Sequence, residues 1–372
     1  MCSNHILAKM NISKTVSHPA GVSFLVCTFN GAERIAETLA CLARQDIPPG
    51  GAWEIILVDN ASTDGTSEMV RQIWKDLGTP APLVLLHEPR PGKQHALELA
   101  ISKVNYQFTC IVDDDNRLAT DYLRVGVEIL QSQSQVAILG GANIGSFEGQ
   151  EPAWFAAFQH CYAVGPQLDR VGGGFIPLTD GNIGRNVLWG AGMFVRTILW
   201  LELRELGFQS LFSGRQGEAN LTAGEDDELC YVALLLGYEV WYSSRLQLQH
   251  HMAMGRLTEG YRDRLFAAAG CSATRLNAYR NALWGKPGAA VGTNLLKDIS
   301  YNVLGILKNV CSLAFVRESI SGNSIVIMNQ WNALMQVKDA LLHFRRVKNY
   351  YGQVLQFKRQ LSFTFKSSQP DN

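Results

Sequence analysis

Four apolar runs with helical stretches between them occupy the first third of this 372-residue chain, and the fourth runs into three consecutive aspartates. Val22-Ser-Phe-Leu-Val-Cys-Thr28, Glu54-Ile-Ile-Leu-Val-Asp59, Leu83 to His87 and Phe108-Thr-Cys-Ile-Val112 read as short buried strands. Between them, Asn30-Gly-Ala-Glu33 reads as a capping box opening a helix toward Gln45. Asp64 is placed to cap a helix reaching about Leu77, and a third helix is expected from about Lys93 to Val104. Strands alternating with helices of this length predict an α/β fold with a mostly parallel, doubly wound sheet. In such sheets ligands sit beyond the carboxyl ends of the strands. Thr28, Asp59 and the Asp113-Asp114-Asp115 triplet crowd at those ends.

The remainder divides by composition. Residues 140 to 190 are rich in glycine (Gly140, Gly141, Gly145, Gly181, Gly184 and the Gly172 to Gly174 run) and predict loops. Leu188 to Val195 reads as a strand and Thr197 to Leu206 as a helix. Ser213 to Ala223 reads as a mobile lead-in to Gly224-Glu-Asp-Asp-Glu-Leu229, where Leu229, Val232, Ala233 and Leu236 keep helical spacing. Tyr238 to Tyr242 is a further expected strand, with His250-His251 a few residues beyond it, and the chain past Arg256 reads as mostly helical to about residue 362. The expected organisation is a flexible leader over 1–20, an α/β domain over 21–256 and a helical, basic region over 257–372.

A hydrophobic content of 47% supplies a real core and excludes a disordered chain. Lys+Arg and Asp+Glu each number 33, which argues against a general nucleic-acid binder. The neutral total hides an acidic body and a basic tail, since 16 of the basic and 6 of the acidic residues lie from Arg256 onward. The eight cysteines show no CxxC pair or zinc spacing, so reduced, mostly buried thiols are expected. The first twenty residues lack a continuous apolar core, and the most apolar stretch, Ile299 to Val316, is broken by Asn302, Lys308 and Asn309. A cytoplasmic protein is therefore expected, with any membrane contact peripheral to the inner face.

Three adjacent carboxylates repel one another unless a cation neutralises them. Magnesium or manganese would do so at Asp113-Asp114-Asp115 while bridging substrate phosphates, whereas the plainer reading is a solvated acidic turn. Asp59 can accept a hydrogen bond from a base N–H or simply turn the chain. Pro89-Arg-Pro-Gly-Lys93 puts two cations before a helix N-terminus, a place suited to phosphate. Glu225-Asp226-Asp227 opens a helix, where carboxylates are favoured by the dipole and one can also serve as general base.

Taken in order, Cys27-Thr-Phe-Asn30, Val58-Asp-Asn-Ala-Ser-Thr-Asp-Gly-Thr66, Gly92-Lys93, the aspartate triplet, Gly190-Ala-Gly192 and Gly224-Glu-Asp226 resemble the family 2 glycosyltransferases over about residues 20 to 256. The resemblance implies the GT-A fold, Rossmann-like with a helical C-terminal extension here, and an inverting transfer of one sugar from a nucleoside-diphosphate sugar donor. It also implies a divalent metal, Mg2+ or Mn2+, and a glycan or lipid-linked acceptor. Position by position, Thr28 and Phe29 would line the base pocket, Asp59 would bind the base, Lys93 would lie near base or phosphate, and Asp114 near the ribose. Asp113 and Asp115 would be the metal-binding ends of an Asp-x-Asp motif, and Asp226 the catalytic base. His251 would match the late histidine that some relatives use as a metal ligand, with His250 beside it as the alternative. No Gln-x-x-Arg-Trp motif of processive synthases is present, which favours single-sugar transfer.

The competing readings are a nucleotidyltransferase, which would carry a glycine-rich, arginine-containing loop after the first strand, and a non-catalytic sugar-nucleotide-binding protein, which would have lost Asp226 or the triplet. In the tail, Leu334, Val337, Leu341, Phe344, Val347, Tyr351 and Val354 fall on one helical stripe flanked by cations. That stripe suits an anionic membrane surface or packing against the α/β domain equally.

Overall fold

The computed structural model describes residues 18–171, 174–212, 223–286, 291–312, 317 and 324–367. Most of the expected leader, and 213–222 of the lead-in expected over 213–223, lie outside the described residues. The first half alternates as the apolar runs dictate: β1 (Val22–Thr28), α1 (Ile35–Ala43), β2 (Trp53–Asp59), α2 (Thr66–Asp76), β3 (Leu83–His87), α3 (Lys93–Ile101), β4 (Phe108–Asp113), β5 (Asn116–Leu118) and α4 (Tyr122–Ser132). There follow β6 (Val136–Phe147), α5 (Phe155–Phe158), the hairpin β7 (Leu168–Val171) and β8 (Gly174–Pro177), β9 (Gly181–Asn182), β10 (Met193–Arg196), α6 (Thr197–Glu205), α7 (Glu225–Leu235) and β11 (Glu239–Met252). Four longer helices complete the described chain: α8 (Glu259–Trp284), α9 (Val291–Val310), Ser324–Leu342 and Phe344–Ser367.

The main sheet runs β3-β2-β1-β4-β10-β6-β11-β5, with β9 beside β11. β3, β2, β1 and β4 are parallel neighbours; β10 is antiparallel to β4 and β6, and β11 runs parallel to β6. Register aligns the strand ends: Thr28 pairs with Asp59 and Cys27 with Asp113. Burial on both faces explains the unbroken apolar runs. Phe24 and Val26 pack with α1, α2 and α4 residues on one face, while Leu25, Ile56 and Val58 pack under α3 on the other.

Four expectations are corrected. Asn30 starts no capping box: the α1 N-terminus has no side-chain cap, and Asn30 adopts φ 47° while its Oδ1 accepts the Thr63 N–H at 2.9 Å. Gly140, Gly141 and Gly145 lie inside strand β6, not in loops. A Cβ on Gly141 would stand 1.9 Å from the Leu246 carbonyl oxygen, so glycine here permits close strand approach. The strand expected over 188–195 shortens to β10, and the strand at Tyr238 lengthens to Met252, taking in both histidines.

The expected tail stripe does not exist as one surface. The chain turns at His343, between the last two helices, which splits the stripe in two. Val347, Tyr351 and Val354 are buried in one apolar cluster with Ile138, Leu199, Tyr231 and Tyr279, whereas Leu334 and Leu341 stay 41% and 59% exposed. The C-terminal helix thus closes the face of the sheet that α6 and α7 begin to cover. Of the described cysteines only Cys110 and Cys230 are fully buried; Cys27, Cys41 and Cys161 are half-buried and Cys271 and Cys311 exposed, fewer buried thiols than expected. Among the described residues, no helix is long and apolar enough to cross a membrane. Replacing Tyr351 by alanine is expected to cost about 3 kcal/mol of stability through the cavity it leaves, measured by urea unfolding; an unchanged midpoint would show that the C-terminal helix is not part of the core.

Candidate active site

The carboxyl ends of β1, β2 and β4 and the start of β5 form one edge of the site. The three aspartates after β4 diverge, each to a cation supplied by a different part of the chain. Asp113 accepts from the Lys93 ammonium at the start of α3. Asp114 turns back into the β1–α1 junction, where Arg34 grips it through Nε at 2.9 Å and Nη2 at 2.8 Å and the Thr28 hydroxyl donates at 2.5 Å. Asp115 accepts from Arg256 Nη1 at 2.8 Å and lies 3.3 Å from His250 Nε2. Gly31 has to be glycine for this packing, since a Cβ would stand 2.1 Å from the Thr28 hydroxyl.

Charge state follows from these partners. Burial raises the Asp114 carboxyl above its ordinary range, with Arg34 and Thr28 offsetting only part of that. Burial acts the same way on Asp115, but His250 and Arg256 outweigh it and hold this carboxyl well below the usual range. Lys93 is desolvated too, yet Asp113 and Asp226 overcome that and keep it protonated. Asp59 accepts the Ser62 N–H at 3.0 Å and the Ser67 hydroxyl at 2.5 Å, which outweigh its burial and lower its pKa. Phe29 is left 45% exposed beside these groups, an open aromatic face.

Asp226 reaches the same edge from α7. Its Oδ2 accepts the Gly190 N–H at 2.8 Å, and a Cβ on Gly190 would lie 2.3 Å from the carboxylate, so only glycine admits it. Burial pushes the carboxyl up to about 6, against the pull of Lys93. Asp227, next to it, is likewise pushed up to about 6 by burial, against the pull of Arg280 rather than Lys93. Glu228 is a buried tie, accepting from the Leu211 N–H at 2.8 Å and the Tyr279 hydroxyl at 2.7 Å, and so anchors α7 to α8.

The histidines separate because they alternate across β11. His250 pairs in register with Asn116, which brings its ring onto Asp115. His251 gives its backbone N–H to the Asp115 carbonyl at 2.9 Å, and its Nδ1 is buried without a partner among the described residues. The geometry therefore brings His250, and not the expected His251, against the triplet's side chains. Arg90, expected beside a phosphate, is instead held by Glu88 at 2.9 Å through two nitrogens. Sequence reasoning missed Arg34, Arg256 and Asn60. The Asn60 Nδ2 donates to the Glu88 and Arg90 carbonyls and its Oδ1 accepts the Gly92 N–H at 2.8 Å, joining the loops after β2 and β3. Only Asn60 carried a signal, its place beside Asp59 at a strand end.

Among the described residues no three ligating side chains are already assembled as a metal cage. Asp115 and His250 nevertheless stand together, with Asp113 two residues away. Oxygen and imidazole donors in that number fit magnesium or manganese, which take one or two carboxylates and complete their shell with phosphate oxygens and water.

Residues 23–158 match the family model described as glycosyl transferase family 2. Abequosyltransferase RfbV of Salmonella typhimurium (strain LT2) is 26% identical over 158 residues, 40% of this chain and 45% of that protein. The putative teichuronic acid biosynthesis glycosyltransferase TuaG of Bacillus subtilis (strain 168) is 26% identical over 113 residues, 30% of this chain and 43% of that protein. The chain thus spans less than half the length of either relative. Among solved structures, the mannosyltransferase PcManGT from Pyrobaculum calidifontis, in complex with GDP-Man and Mn2+, is similar with a TM-score of 0.52 at 16% identity, covering 94% of this chain and 93% of that one. That likeness bears on the fold alone, which is the GT-A architecture. Asp226, His250 and Arg256 lie beyond the matched span.

The Arg34–Asp114 pair is the most enclosed ion pair of the edge on its carboxylate side. Arg34→Ala is expected to cost about 2 kcal/mol by leaving a buried carboxylate without its charged donors. Arg34→Lys should recover only part, because an ammonium cannot replace the fork. Urea unfolding of the three proteins checks both, and equal midpoints would show the pair to be neutral.

Proposed function

We propose, from the premise that residues 23–158 belong to glycosyl transferase family 2, that the protein moves one sugar from a nucleoside-diphosphate sugar to an acceptor hydroxyl, inverting the anomeric centre. The observation that carries this reading is the seat of Asp226, a carboxylate held on the Gly190 N–H within the field of Lys93 and Asp113. Thr28 and the exposed Phe29 ring border the space for a base, with Asp59 fixed by Ser62 and Ser67 to accept a base N–H. Asp114 lies where a ribose hydroxyl would approach, and Lys93 on the phosphate side. Asp113, Asp115 and His250 are the residues that would hold Mg2+ or Mn2+. When bound, the ion would neutralise charge gathering on the departing diphosphate.

Asp226 does the proton chemistry. Gly190 occupies Oδ2, no described residue donates to Oδ1, and that oxygen takes the proton of the attacking hydroxyl. A carboxyl with a pKa of about 6 is ionised at neutral pH and a stronger base than an ordinary aspartate. The acceptor is read as a glycan or a lipid-linked saccharide, supported by the polysaccharide context in the name of the Bacillus subtilis relative.

A peripheral contact with an anionic membrane is also proposed, relocated from the C-terminal stripe to α9. There Leu304 and Leu307 are 65% and 55% exposed, with Leu296 and Val310 on the same helical face and Lys297 and Lys308 at its border. Full-length protein is expected to sediment with anionic vesicles at low salt and to leave them at high salt, since each cation contributes only about 1 kcal/mol. A Leu304→Asp, Leu307→Asp double variant should stay in the supernatant; equal sedimentation of both proteins would remove α9 from the contact.

The transfer reading is tested by Asp226→Asn, which keeps the shape and loses the basicity. Turnover is expected to fall roughly 10²–10⁴-fold with donor affinity nearly unchanged. In the parent protein kcat should rise with pH through about 6, as the carboxyl whose pKa burial has raised gives up its proton, and then level off. Near-normal turnover of the amide variant would eliminate Asp226 as the base.

A further inference from the structure

The three cations on the triplet are not equivalent. Lys93 starts a helix and Arg34 is tied to the Phe29 and Asn30 carbonyls as well as to Asp114, so both have fixed duties in the fold. Arg256 stands on the single 3-10 turn Met254–Leu257 that joins β11 to α8. Its Nη1 meets Asp115 Oδ2 at 2.8 Å and lies 3.5 Å from His250 Nε2, and its Cζ is 5.8 Å from the Tyr261 ring. Its Nε is buried, and no described residue accepts from that donor in hydrogen-bonding geometry, so the guanidinium keeps a donor for an acceptor brought by a ligand.

The same Asp115 and His250 are the groups that would hold a divalent ion. A guanidinium already neutralises the carboxylate there, and a second, doubly charged cation at that distance is opposed by like-charge repulsion that burial strengthens. A diphosphate removes the conflict, because it carries enough negative charge for both cations and its oxygens match the planar fork of an arginine.

We infer that Arg256 is a placeholder cation: it holds Asp115 while the site is without nucleotide, and it turns to the diphosphate oxygens when a divalent ion and a nucleoside diphosphate bind together. This rests on the reading that such a pair binds at the triplet. It makes ion and nucleotide binding cooperative through one side chain, so that the free ion alone is held weakly.

The test uses the full-length protein and Mn2+ itself, with free Mn2+ followed by its paramagnetic resonance signal, first without nucleotide and then with UDP or GDP. In the parent protein UDP or GDP should tighten Mn2+ binding. Arg256→Ala should bind Mn2+ alone about fivefold or more tighter, and at saturating Mn2+ should bind the nucleotide about fivefold or more weaker, so that the coupling shrinks. Arg256→Lys, which keeps the charge, should retain the parent's weak hold on Mn2+ alone. Circular dichroism melts establish that each variant is folded, and Arg256→Gln replaces the alanine variant if that one is not. Unchanged Mn2+ affinity in the charge-removed variant, with coupling in the parent intact, overturns the placeholder role. A parent protein that binds Mn2+ with neither nucleotide overturns the nucleotide-sugar reading instead.

Discussion

Three carboxylates side by side at the end of a buried strand are the constraint on which the rest of the site depends. Left alone they would repel one another and resist desolvation. The fold resolves this by dispersing them: Asp113 to Lys93 on α3, Asp114 to Arg34 at the head of α1, and Asp115 to Arg256 beyond β11. Each pairing fastens a different part of the chain to the same strand end. The charge problem and the assembly of the site therefore have one solution.

Sheet topology makes that solution reachable. The chain leaves β4 through the triplet and enters β5, which pairs antiparallel with the far end of β11 and sets His250 opposite Asn116. The turn after β11 then delivers Arg256 to Asp115. On the other side, the Gly190 backbone forms the seat into which α7 lowers Asp226. The groups proposed to hold metal, phosphate and the acceptor's proton thus come from five separate elements, all at the carboxyl edge of one sheet.

The helices after β11 finish this arrangement. Val347, Tyr351 and Val354 seal the sheet face that α7 only partly covers, and Glu228 links the root of α7 to Tyr279 of α8. The position of the proposed base is therefore supported by helices more than fifty residues downstream. What the same helices leave outside, the apolar face of α9, is consistent with a second duty at a surface.

Much of this was legible in the residues. Unbroken apolar runs in β1, β2 and β4 dictate strands buried on both faces, and their spacing dictates the parallel sheet and the place of Thr28, Asp59 and the triplet, because local pattern and connection length leave few alternatives. The glycines of β6 misled, since glycine for a loop and glycine for close strand approach look the same in one dimension. Only tertiary structure decided which histidine faces Asp115, because strand alternation puts neighbouring residues on opposite faces and a one-residue difference in register reverses them. It alone decided that the C-terminal stripe breaks at His343 and enters the core. It alone also brought Arg34 and Arg256 to the triplet across 80 and 141 residues, distances over which sequence carries no record of charge pairing.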